Sequence, residues 1–348
     1  AVVAAVLAVV VAMVYLRNIW LVRQAEKKAP PAVPPSVEQR SNEFSYSKVE
    51  GQRTIYTVRA SRATEFKEGS RNLLEDVSIT VHGKKGERND MLRTRACDFI
   101  SDTGKISCAG EVQINLQASD AAPGNAIQVV TSGVSFSQHS GEARTDKPVT
   151  FHSPAGEGRA VGASYDSNNG TLHLERDVEM TMMVSSPALP QKTEFVPERA
   201  LHLTGSSMEF RRQSRAVLLQ GNVHALQTTR ELSAENLLME LDTSFHARRL
   251  VASGHPRLRD TDVDGPASLD ADTISAEIRP DGSVDSIVAA GSVHGSRVTP
   301  AGEDQIEAGR VQMDLATRKN VPRMLTAGVG VVLTSRGVTP AGGTRRVE

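Results

Sequence analysis

Beyond Ser41 the chain alternates apolar and polar residues with period two in segment after segment, the pattern of strands that bury one face. Val77, Ile79 and Val81 share a face, as do Val112, Ile114 and Leu116, then Val178, Met180 and Met182, then Ile274 and Ile278, then Val311, Met313 and Leu315. Turn-forming runs separate such segments: Gly83 to Gly86, Asp102-Thr103-Gly104, Ser167 to Gly170 and Pro280-Asp281-Gly282. No long stretch after the first 22 residues carries a helical period. The pattern predicts an all-β chain of antiparallel hairpins, each with one greasy face.

A longer beat overlies the alternation. Ala234, Ala271 and Ala308 lie 37 residues apart, and so do Gly254, Gly291 and Gly328. Each unit runs from a small residue through a strand and a turn to a second strand closing on Gly-x-Val, with Pro256 in the Val place of one copy. A fixed period of this size marks an array whose units need their neighbours to bury apolar surface. Earlier copies, starting near Ala96, Thr131, Ala163 and Gly205, are irregular. Ser185 to Pro190, with two prolines, is the expected boundary between the halves. Stacked units of this kind make a jelly roll, a sandwich or an open-ended β-trough.

The N-terminus breaks the pattern. Residues 1–16 are uncharged and apolar, and with Ile19 to Val22 the segment 1–22 has the length of a membrane anchor. Residues 23–40 form a Pro-rich spacer that sustains neither helix nor central strand. A net charge of −1 offers no basic footprint for nucleic acid. Aromatics are 4% of the chain, so aliphatic and Met side chains line the interior, a filling that suits hydrocarbon as well as itself.

Candidate chemistry is sparse. The nine histidines are scattered, with no metalloprotease helix motif and no nucleophile elbow, so no catalytic residue is assigned. His173 with Glu175 and His202 with Glu209 read as polar strand faces. Asp260 to Gly265 begins like a calcium loop but carries Ala271 at its twelfth position, and reads as a solvated acidic turn, leaving no metal or cofactor expected. Arg211, Arg212 and Arg215, or Arg248 and Arg249, are basic groups that can meet phosphates at a trough rim.

The residues Ile55 to Ala60, Leu74 to Val77, Gly110 to Val112, Thr131 with Val134, Thr145 with Pro148-Val149, and Ala163 with Tyr165-Asp166, following an anchor, resemble the LptC family. The later units, with Gly221-Asn222-Val223 and Gly291-Ser292-Val293, resemble the OstA/LptA-like domain. The resemblance implies an inner-membrane helix followed by two tandem open-ended β-jelly rolls, an LptC-like one over 41–184 and an OstA/LptA-like one over 192–348, joined by a linker at 185–191. It also implies a non-enzymatic, cofactor-free bridge in the periplasm. Such a bridge takes lipopolysaccharide from an inner-membrane ABC transporter and adds an edge strand to an LptA-like partner. The lipid-facing candidates are Val77, Ile79, Val81, Phe99, Ile106, Val112, Ile114, Leu116, Met180 and Met182, with Met239, Ile274, Ile278, Met313 and Leu315 in the second half. In an oxidising compartment Cys97 and Cys108, which flank one predicted turn, either join across two strands or stay as two buried thiols. The alternative function is an exported β-repeat adaptor with a closed core.

Overall fold

A computed structural model describes residues 37–67, 70–83, 89–116, 127–153, 156–183, 200–243, 245–261, 265–316, 322–337 and 345–347. The predicted anchor at 1–22 and linker at 185–191 lie outside the described residues. Among the described residues every regular element is a strand, and none is a helix long and apolar enough to cross a membrane.

In the first half the strands are β1 (Val37–Glu50), β2 (Arg53–Phe66), β3 (Arg71–His82), β4 (Asn89–Ile100), β5 (Lys105–Leu116), β6 (Ile127–Ser137), β7 (Glu142–Ser153), β8 (Gly156–Asp166) and β9 (Thr171–Met183). There follow β10 (Ala200–Gly205), β11 (Ser207–Arg211), β12 (Ala216–Gln227), β13 (Arg230–Leu241), β14 (Ala247–Ser253), β15 (Arg257–Asp260), β16 (Ala267–Asp270) and β17 (Thr273–Ile278). The last are β18 (Val284–Thr299), β19 (Gly302–Leu315), β20 (Pro322–Gly328), β21 (Val332–Gly337) and β22 (Arg345–Val347). From β1 to β9 each pairs antiparallel with its neighbours along the chain, whereas later short strands such as β14 and β15 both pair with β13 and not with each other. β1 starts at Val37, within the 23–40 spacer, because past Pro35 the chain has its donors back and pairs with Phe66.

The ladder does not stop at the 185–191 segment. β9 pairs with β10 from Ala200↔Met183 to Gly205↔Val178, and with β11 from Met208↔Leu174 to Arg211↔Thr171. Both β10 and β11 also pair with β12. One long bent strand level, broken at Ser206, therefore lies between β9 and β12.

That bend explains the 37-residue beat and changes its meaning. The Gly-x-Val triplets do not close strands; they turn corners in the middle of them. Gly221 and Asn222 (φ +73° and +48°), Gly254 and His255 (+79° and +55°), and Gly291 and Ser292 (+76° and +45°) are consecutive left-handed residues, a conformation that glycine enters without cost. The residue after each corner returns inward and meets the small residue of the next unit. Val223 pairs with Ala234, Val293 with Ala308, and the Ala271 N–H donates to the Pro256 carbonyl oxygen at 3.2 Å. The register of β12–β13 and of β18–β19 shifts by one residue at these corners, as a β-bulge requires.

The fourth corner falls one residue off the beat. It lies at Val329 and Gly330 (φ +67° and +63°), not at Gly328. Leu315 pairs with Pro322 where one repeat earlier Ile278 pairs with Val284, so residues 316–321 connect one pair and 279–283 the other. The extra residue displaces every later pairing by one.

Contacts between strands that are not neighbours show that the bent sheet wraps on itself. Phe44 and Tyr46 on β1 lie 6.2 and 6.1 Å from the Phe99 ring on β4. Tyr56 on β2 meets Phe136 on β6 edge-on at 5.5 Å. The buried side chains fall into three clusters in chain order, drawn from β2–β6, from β5–β14 and from β17–β19 with Ala271, the residue just after β16.

Candidate functional site: the inner face

The inner face is built by the alternation itself. Along each strand every second side chain points inside, and the mid-strand corner folds the two halves of the strand so that both contribute to one interior. Val77, Ile79, Phe99, Ile106, Val112, Leu116, Met180, Met182, Met239, Ile274 and Leu315 are buried. Val81 and Ile114 are partly buried and pack on the clusters, while Ile278 and Met313 are half-buried.

The face is continuous over much of its length. Ile114 and Ala143 pack against both the first and the middle cluster. The middle cluster joins Leu172, Leu174, Val178, Met180 and Met182 to Leu203, Met208, Phe210, Leu219 and Val223, residues from both sides of the 185–191 segment. Among the described residues, one apolar cluster thus spans both halves of the chain.

Cys97 and Cys108 are joined by a disulfide, with Cα atoms 4.2 Å apart. Asp98↔Ser107 and Phe99↔Ile106 are cross-strand partners, which puts the two cysteines opposite each other at the close spacing of a non-hydrogen-bonded pair. Both are buried in the first cluster.

The basic residues do not line a free rim. Arg211 is bonded to Glu209, Arg248 to Glu240 at 2.8 Å, and Arg249 lies 3.2 Å from Glu277. Arg212 is the largest departure from expectation. It is drawn inside, with its side chain 9% exposed, and its Nη1 donates to the Asp90 carboxylate at 2.9 and 3.2 Å. The Tyr165 hydroxyl donates to the same carboxylate. This group ties β4, β8 and the β11–β12 turn together across 122 positions of sequence. No local signal announces it, because its members share no spacing.

The remaining polar candidates are strand-face pairs. His173 stands opposite Glu209 across β9 and β11, and His202 Nδ1 lies 3.1 Å from the Thr181 hydroxyl. Asp260 accepts from Arg230 at 2.9 Å and from Thr229 at 3.0 Å, while Asp262 and Asp264 lie outside the described residues. Outer-face pairs such as Arg62–Glu75 and Arg159–Glu179 bridge adjacent strands, and being exposed each adds little stability.

A wrapped antiparallel sheet with a long apolar inner face and charge-paired outer face defines a β-roll scaffold. The family model described as "Lipopolysaccharide-assembly, LptC-related" matches residues 3–183, more than half of the chain, and the protein belongs to that family. Among solved structures it is similar to the crystal structure of LptH, the LptA homologous periplasmic component of the conserved lipopolysaccharide transport device from Pseudomonas aeruginosa. That match has 14% identity and a TM-score of 0.30, and covers 42% of this chain and 94% of the other. No functionally curated protein matches the chain.

Proposed function

We propose that this protein is a non-enzymatic bridge for lipopolysaccharide, held at the inner membrane by residues 1–22 with its bulk in the periplasm. Lipid acyl chains would lie against the inner face while sugars and phosphates stay in water. The observation that carries this reading is the continuity of the apolar inner face from the first cluster through the middle one, within a member of a lipopolysaccharide-assembly family. The region 192–348 then extends the surface begun by 41–184, the part played in the resemblance by an LptA-like domain. The family-matched region stands at the ABC-transporter end. At the other end, β20 pairs only with β19 among the described residues and exposes Met324 and Leu325, an edge suited to strand addition by an LptA-like partner.

A closed-core adaptor is the second reading, favoured by one observation: Leu74, Ile106 and Val112 are fully covered by their neighbours. A photo-crosslinker at Ile114, on the inner face, and at Thr80, on the opposite face of its strand, separates the two. Lipopolysaccharide is expected to crosslink at Ile114 and not at Thr80. Crosslinks from Thr80 alone would invert the faces, and none from any inward site would leave the adaptor reading.

A further inference from the structure

Among the described residues β1 pairs only with β2, and its inner face carries a lysine that the apolar pattern does not explain. Lys48 stands directly opposite Tyr56, so the two side chains share a face, and Tyr56 is inside at 2% exposure. The Lys48 ammonium donates to the Gln138 carbonyl oxygen at 2.8 Å and has no carboxylate partner among the described residues. The Tyr56 ring packs on Phe136, two residues before Gln138 on the same chain segment. Lys48, Tyr56 and Gln138 are thus gathered at one place.

All three present donors. Among the described residues the Tyr56 hydroxyl and the Gln138 amide nitrogen are buried without a well-formed hydrogen bond, the Tyr56 hydroxyl having only that of Tyr46 beside it, and Gln138 as a whole is 7% exposed. A buried polar group without a well-formed hydrogen bond costs stability, and two such groups beside an ammonium that meets only a carbonyl oxygen need an explanation. Burial, with the neighbouring Tyr46 hydroxyl adding to it, pushes the Tyr56 pKa up, so this hydroxyl keeps its proton and remains a donor. Around them stand Phe44, Phe99 and Phe136, a wall that suits hydrocarbon.

We propose that Lys48, Tyr56 and Gln138 form an anion site at the β1 end of the inner face, which takes a phosphate monoester while an attached apolar chain lies against the aromatic wall. Three donor-bearing residues gathered beside an apolar wall match an anionic head on an apolar tail. The proposal deepens the bridge reading and rests on it only for the tail.

The test is calorimetric binding to the full chain of three probes: dodecyl phosphate, dodecyl maltoside as a neutral partner of equal tail length, and inorganic phosphate. Dodecyl phosphate is expected to bind about tenfold more tightly than dodecyl maltoside, the scale of one charge-assisted hydrogen bond. Lys48→Met and Tyr56→Phe should each erase most of that preference and leave binding of the neutral amphiphile intact. Competition by inorganic phosphate would support the same site with the free ion as its ligand. Equal affinity for the two amphiphiles in the native chain would overturn the anion site and leave apolar carriage standing. Binding of neither amphiphile would overturn the carriage reading, and inorganic phosphate would then decide the site alone. Tyr56→Phe removes a single oxygen and keeps the ring on Phe136, so folding does not obscure the result. A higher Tm in that variant with an unchanged preference would show a merely orphaned hydroxyl and defeat the proposal.

Discussion

The interior around β2 to β6 and the interior around β16 to β19 are framed by the same bent antiparallel strands but filled in different ways. The first holds Tyr56, Phe99 and Phe136, with the Cys97–Cys108 disulfide inside it. The second is Ala271, Ile274, Ala289, Val293, Ala308 and Val311, without a ring among them. Large side chains reach across to strands several places away, as Tyr56 does to Phe136, whereas alanines touch only their neighbours. The difference teaches why the later half keeps time in sequence and the earlier does not. A unit that meets only the next unit is filled by the same small residues each time, and a unit locked by long-range contacts is filled by whatever fits its own partner. The irregular end should therefore be the stiffer one, with local opening expected toward β20 and β21, where Met324, Leu325, Val329 and Leu333 are exposed.

The largest expected effect on this contrast comes from the group that fastens β4 to the β11–β12 turn. Asp90→Ala leaves the Arg212 guanidinium inside without that carboxylate and should cost about 3–5 kcal/mol in chemical denaturation. The double variant Asp90→Asn with Arg212→Met should recover most of the loss, and failure to do so would mean that the packing, not the charge, holds the turn.

Next in size is the disulfide. Cys97→Ala with Cys108→Ala opens a loop of sequence separation 11 and should lower stability by about 3 kcal/mol. Hydrogen exchange should quicken in β4 to β6 and stay unchanged in β18 and β19; equal quickening in both would erase the proposed division into stiff and loose ends.

The corners give the smallest effects and the sharpest comparison. At Gly254 (φ +79°) an added Cβ would run into the Glu235 side chain, while at Gly330 (φ +63°) it would meet open space. Gly330→Ala should cost about 1–2 kcal/mol for the left-handed backbone alone. Gly254→Ala should cost more, read as a larger fall in Tm, and equal losses would show that the corner at Gly254 yields to relieve the clash.

Much of this architecture was legible before any fold was known. The alternation at Val77, Ile79 and Val112 marked inward positions because a strand has only two faces. Asp102 to Gly104 and Ser167 to Gly170 marked turns because their residues tolerate turn backbones. The Gly-x-Val triplets were visible as a repeat, but their role was not, since a left-handed glycine serves a hairpin end and a mid-strand corner equally well. Arg212 read as a rim cation because nothing near it in sequence is Asp90.

The chain by itself determined that the protein is β throughout, which side of each strand faces inward, and which family it belongs to, because these follow from local alternation and motif order. Only the tertiary structure decided where the strands bend, that the interior runs across the 185–191 segment, that Arg212 is buried, and that Lys48, Tyr56 and Gln138 meet. Each of these depends on residues far apart in the chain coming within a few ångströms, and the pairing of distant strands is fixed by packing that no local period records.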